Sequence, residues 1–126
     1  MARHLRSVSG APAPVGPYST AVEVNGFVFI SGQGAVDPRS GGYPDSIEDQ
    51  TRQTMENLRT ILSEHELDFS HVIKTSIFLI DMGEFAAMNN VYATYFDSDP
   101  PARTTVAVAA LPRPEMRIEI DMVVAR

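Results

Sequence analysis

The pair Asn25-Gly26 is the tightest constraint in this chain. It stands between Thr20-Ala21-Val22-Glu23-Val24 and Phe27-Val28-Phe29-Ile30-Ser31. Both turn residues tolerate positive φ, and both flanks are rich in β-branched or aromatic residues, so the segment predicts an antiparallel hairpin with a two-residue turn. Everything else must be arranged around that ribbon, which cannot hide its apolar side alone. Before it, Pro12, Pro14 and Pro17 make residues 9–17 a loop, after a short edge strand at residues 4–8.

After the hairpin, residues 32–44 hold four Gly and two Pro and read as a long connection. Ser46 is placed to cap a helix, with Asp49 as the reciprocal partner and Glu48 favoured by the helix dipole. Ile47, Thr51, Met55, Leu58 and Leu62 recur at helical spacing. Arg52, Gln53, Glu56, Asn57 and Arg59 fall on the other side, and the helix runs to about Glu66. Residues 72–80 read as a strand. Asp81 can cap a second helix with the stripe Phe85, Met88, Tyr92, Tyr95 and Phe96, which Asp99-Pro100-Pro101 ends. Two strands follow, over residues 104–110 and 116–124. The order β-β-α-β-α-β-β predicts one α+β domain over residues 1–126, a two-layer sandwich with both helices on one face of a mixed sheet.

Composition narrows the function classes. At 126 residues the chain can bury roughly 65% of its extended surface. No apolar run exceeds the six residues from Val106 to Leu111, so no membrane span is expected. No apolar segment follows the charged start, so no secretory signal is expected either. Ten basic against sixteen acidic residues give a net charge of −6, which argues against nucleic-acid binding. With no Cys there is no disulfide, thiolate nucleophile or thiolate-bound metal, a pattern that fits a cytoplasmic protein. His4, His65 and His71 have no ligand spacing, so no metal site is expected, and no cofactor fingerprint appears.

The candidate site residues come from the strands and loops. Met116, Ile118, Ile120, Met122 and Val124 alternate with Arg117, Glu119, Asp121 and Val123. On the strand before, Thr104, Val106 and Val108 are expected to face the helices, leaving Arg103, Thr105, Ala107 and Ala109 on the uncovered face beside Glu119. Such an open, partly apolar face suggests a symmetric partner. Arg103 is either a surface arginine paired to a carboxylate or a bidentate clamp on a substrate carboxylate. Glu119 is either solvated or a group that holds and activates water. Tyr18, Ser31 and Asn89 have bland packing or capping alternatives. Gly32 would let a ligand approach the backbone.

Several segments are recognisable together: Gly16-Pro17-Tyr18-Ser19, Phe29-Ile30-Ser31-Gly32-Gln33, Gln50 to Leu58, Val72-Ile73-Lys74-Thr75, Phe85 through Asn89 to Tyr92, Pro101-Ala102-Arg103-Thr104, Leu111-Pro112 and Ile118-Glu119-Ile120. In this order and spacing they resemble the RidA/YjgF family. The resemblance implies a chorismate-mutase-like fold, a homotrimer with clefts between subunits, and no cofactor. It implies hydrolytic deamination of reactive enamines and imines, such as 2-aminoacrylate and 2-iminobutyrate, to 2-keto acids and ammonia. Arg103 then matches the carboxylate-binding arginine and Glu119 the glutamate that positions water, with Tyr18, Ser31, Gly32 and Asn89 lining the pocket. The family also includes ring-catabolic deaminases, members without demonstrated activity, and relatives credited with RNA cleavage, so the alternatives are a non-catalytic keto-acid-binding or protein-protecting trimer and a ring-catabolic deaminase. Three departures bear on substrate: Thr105 stands where many members carry Cys, Ala110 replaces a common basic residue, and the Pro112–Glu115 connection is one residue longer.

Overall fold

The computed structural model describes residues 1–126. Six strands form one mixed sheet: β1 (Arg3–Leu5), β2 (Ala21–Val24), β3 (Phe27–Gln33), β4 (Val72–Leu79), β5 (Ala102–Ala107) and β6 (Ile118–Ala125), ordered β1-β2-β3-β6-β4-β5. Two helices, α1 (Ile47–Glu64) and α2 (Phe85–Tyr92), pack on one face. This is the α+β sandwich that the element order predicts. The hairpin turn has φ of 52° at Asn25 and 80° at Gly26, as the Asn-Gly pair requires. Only β4 and β5 run parallel, linked across the sheet by α2.

Local chemistry fixes the helix ends. Ser46 Oγ accepts from the Asp49 amide at 3.1 Å. Asp49 does not reciprocate. Its carboxylate takes the Arg52 guanidinium at 2.8 Å, so only half of the expected capping box forms. Asp81 caps the 3₁₀ turn Met82–Glu84, which leads into α2. The first helix ends at Glu64, and Glu66 turns the chain with a φ of 59°.

The core is one cluster of 20 buried side chains between sheet and helices, including Ile30, Met55, Leu58, Ile77, Leu79, Met88, Ile118, Ile120 and Met122. At roughly 25 cal/mol per Å² of apolar surface removed from water, this layer is the main stabilising contribution. All five predicted α1 stripe residues belong to the buried set. Asn57, expected on the opposite side of α1, is buried instead. Its Nδ2 donates to the carbonyls of Gly34 and Val36 at 3.0 and 2.9 Å. A buried amide needs partners, and here the returning loop supplies them.

The register overturns one expectation. Arg103, Thr105 and Ala107 pair with Thr75, Ile77 and Leu79, all fully buried under the helices. They therefore share the helix face, while Thr104 and Val106 look the other way. Glu119 pairs with Phe78, on the uncovered face. Arg103 and Glu119 consequently lie on opposite sides of the sheet. The cause is that the uncovered face is itself apolar: Phe27 and Phe29 are 41% and 46% exposed there, with Val106 at 39%. A strand between two apolar surfaces does not disclose which one the helices cover.

Candidate active site

The predicted site residues fall into two groups. The first surrounds Glu119. A β-bulge interrupts the β3–β6 register between Ile30 and Gln33, so Ser31 and Gly32 together face Asp121 alone. The bulge brings the Gly32 backbone against the Glu119 side chain. A Cβ on Gly32 would collide with Glu119 Oε2 and lie 2.7 Å from Cδ. Gly32 is thus required by close approach, not by a left-handed backbone. Tyr18, Gly32 and Glu119 line one cavity of ≈ 80 Å³, together with Pro12, Tyr43 and Arg113. The Tyr18 hydroxyl accepts from the Val15 amide at 3.2 Å, which ties the proline-rich loop over the cavity. Ser31 Oγ donates to the Ser19 carbonyl at 2.7 Å, so its hydroxyl joins the same loop to β3.

Burial, and then the charge of Asp121 two residues along the same face, raise the Glu119 pKa above the ordinary carboxylate value. A carboxylate that holds its proton more tightly is a better general base while still ionised near neutrality.

The second group lies between β5 and α2. The Arg103 guanidinium sits 5.5 Å from the Phe85 ring centroid and 5.1 Å from that of Tyr92, a cation–π cradle. Tyr92 is fixed in turn by a 2.8 Å hydrogen bond between its hydroxyl and Thr75 Oγ1. Arg103 and Asn89 line a second cavity of ≈ 330 Å³ with Tyr92, Phe96 and Pro100. The Asn89 Oδ1 atom is buried and has no hydrogen-bond partner. Thr105 follows Arg103 on the same face, opposite Ile77. Six of the ten cationic side chains are engaged in ion pairs, those of Arg3, Arg39, Arg52, Arg59, Arg117 and Arg126. Arg103 has no carboxylate within 4.0 Å, which removes the reading of a surface arginine in an internal salt bridge.

Sequence reasoning missed the groups that hold the cavity walls. Gln50, buried on α1, donates to the carbonyls of Pro44 and Glu115 at 2.9 and 2.8 Å and accepts from the Arg117 amide at 2.8 Å. With Asn57, two turns further along α1, it fastens the two loops, residues 34–46 and 108–117, that border the Glu119 cavity. Amides embedded in the apolar side of an amphipathic helix were the available signal. No group of three or more His, Asp or Glu side chains is placed to share a metal ion, and no helix is long and apolar enough to cross a membrane.

Comparison with known proteins follows the same outline. Residues 8–126 match the family model described as Endoribonuclease L-PSP. A RutC family protein of Pyrococcus horikoshii is 45% identical over 114 residues, 90% of each chain. The 2-iminobutanoate/2-iminopropanoate deaminase of Mus musculus is 43% identical over 122 residues, covering 96% of this chain and 90% of the mouse protein. The crystal structure of Escherichia coli TdcF with bound serine superposes with a TM-score of 0.92 at 34% identity, over 98% of this chain and 99% of TdcF. The family model over residues 8–126 and the relatives matched over nearly their whole length agree on one assignment: this chain belongs to the RidA/YjgF family.

Proposed function

We propose that this protein hydrolyses small 2-imino acids and their enamine tautomers to 2-keto acids and ammonia, as a homotrimer. The observation that carries the reading is the unpaired, aromatic-cradled guanidinium of Arg103 in a chain of net charge −6. Aromatic faces hold a planar fork in place while leaving its N–H edge free for a carboxylate. The names of the mouse relative and of serine-bound TdcF are consistent with a ligand that carries an α-carboxylate.

Arg103 and Glu119 lie on opposite faces of one sheet, so a site using both needs two copies of the chain. The apolar uncovered face, with Phe27, Phe29, Phe78, Val106 and Val123, is the surface such copies would bury. In the proposed assembly, Arg103 and Asn89 of one copy meet Tyr18, Gly32 and Glu119 of the next. Asn89 Oδ1 then gains a partner from the substrate nitrogen or a water molecule.

The chemistry needs little more. Arg103 binds the carboxylate and orients the C=N carbon. Glu119 accepts a proton from water as the water oxygen bonds to the carbon of the N-protonated imine, giving a neutral carbinolamine. Glu119 then returns that proton to nitrogen, and as the C–N bond breaks it takes the proton of the carbinolamine hydroxyl, whose oxygen becomes the keto group, so that ammonia leaves and the keto acid remains. Thr105 in place of a cysteine leaves this sequence unaffected, because no thiolate takes part.

The test is keto-acid release from freshly generated 2-iminobutyrate. Arg103→Ala should abolish turnover while sedimentation still reports the parent's oligomeric state. Full activity in a correctly assembled Arg103→Ala protein would remove the proposal. Binding of 2-ketobutyrate without turnover by the parent would instead select the non-catalytic, protein-protecting reading. Cleavage of RNA is disfavoured by the acidic charge and the internal pairing of most cationic side chains.

A further inference from the structure

Arg113 belongs to the Glu119 cavity and has no role in the reaction above. It makes no ion pair within 4.0 Å and no side-chain hydrogen bond, although Glu115 is two residues away and net charge favours pairing. Burial, and then the Glu115 carboxylate, raise the pKa of the Tyr43 phenol, which lines the same cavity, and the Arg113 guanidinium opposes them. The loop that carries Arg113 is held at several points. Pro112 and Pro114 fix φ on either side of it. Gln50 grips the loop at the Glu115 carbonyl and the Arg117 amide, each at 2.8 Å. The Met116 amide donates to the Arg113 carbonyl at 3.1 Å, and the buried Met116 side chain packs over Gly34, whose missing Cβ leaves it room. A cation on a stiff loop loses little freedom on binding an anion.

A 2-imino acid with an uncharged side chain needs only one cation, and Arg103 supplies it. A second carboxylate, on the substrate side chain, would meet Glu119 in the cavity and be repelled. A second guanidinium there offsets that repulsion and gives the carboxylate a fork to bind. We propose that Arg113 is a specificity determinant that extends the substrates of this site to 2-imino dicarboxylic acids of four or five carbons. The proposal rests on the deaminase reading.

The experiment uses the full chain with two imines generated in situ by amino-acid oxidases, 2-iminobutyrate and 2-iminoglutarate, each followed as keto acid. The parent should hydrolyse both. In Arg113→Ala the ratio of kcat/KM for 2-iminoglutarate to that for 2-iminobutyrate should fall at least about tenfold, mainly through KM, and Arg113→Lys should recover part of it. A parent active only on 2-iminobutyrate overturns the proposal but leaves the deaminase reading standing. So does an unchanged ratio, or an Arg113→Ala protein whose oligomeric state differs from the parent's, which would assign the guanidinium to contact between copies. If the parent hydrolyses neither imine, the deaminase reading fails. Calorimetric titration with 2-ketoglutarate and 2-ketobutyrate then decides on Arg113 separately. Selective loss of 2-ketoglutarate affinity in Arg113→Ala supports the role, and equal or no loss overturns it.

Discussion

Gly32→Ala separates the catalytic geometry from the stability of the fold. Gly32 does not have a positive φ, so alanine brings no backbone strain. What the new methyl meets is the far end of a flexible side chain. Its carbon would stand 2.7 Å from Glu119 Cδ, whereas ordinary contact begins at 3.4 Å, so the carboxylate must retreat by at least 3.4 − 2.7 = 0.7 Å. Rotation of Glu119 away from the bulge accomplishes this, at a cost to stability of about 1 kcal/mol or less. That corresponds to a Tm change of no more than about 5 °C in a domain this size. Catalysis is less forgiving. A displacement of about 1 Å in a group that orients the nucleophile costs up to ~100-fold, or about 2.7 kcal/mol of transition-state stabilisation. We expect kcat for 2-iminobutyrate hydrolysis to fall about 10- to 100-fold with Tm and oligomeric state nearly preserved. Unaltered kcat would refute the inference that the bulge sets the position of the carboxylate. A loss of activity that merely follows a large fall in Tm would refute it too.

Two further outcomes follow from the same geometry. Burial and the Asp121 charge raise the Glu119 pKa above 4.5, and the ionised form is the base, so kcat/KM should drop as pH falls through a value above 4.5. Asp121→Asn removes one of the two causes and should move this acid limb to lower pH; a limb that stays in place would dissociate it from Glu119. Gln50→Leu leaves the carbonyls of Pro44 and Glu115 and the amide of Arg117 without their partner, which should cost roughly 2–5 kcal/mol in denaturant unfolding. Gln50→Glu keeps the acceptor for Arg117 and should lie between the two, whereas equal stability of all three proteins would show that water replaces the amide freely.

Much of the molecule was legible from residue order. Asn25-Gly26 specifies its turn because few other pairs take positive φ twice. The α1 stripe is legible because Ile47, Thr51, Met55, Leu58 and Leu62 recur at the period of the helix they form. The β6 alternation placed Glu119 correctly on the face opposite the core. The polar groups buried in α1 were harder to read, since Gln50 and Asn57 resemble solvated residues until the loops that need their hydrogen bonds are in place. Arg113 was visible only as part of the Pro112–Glu115 connection between two strands.

What the sequence alone determined is therefore local and periodic: turn, caps, helix stripe, strand alternation, and the ordered motifs that mark the family. Periodicity sorts residues into two sets on a strand but does not say which set meets the helices when both surfaces are apolar. Only the pairing of Arg103 with Thr75 and of Glu119 with Phe78 decided that. The tertiary structure thereby separated two residues that the strand pattern had put side by side. Its reason is physical: β4 is shared by both neighbours, and its register dictates the face on which each of them presents its side chains.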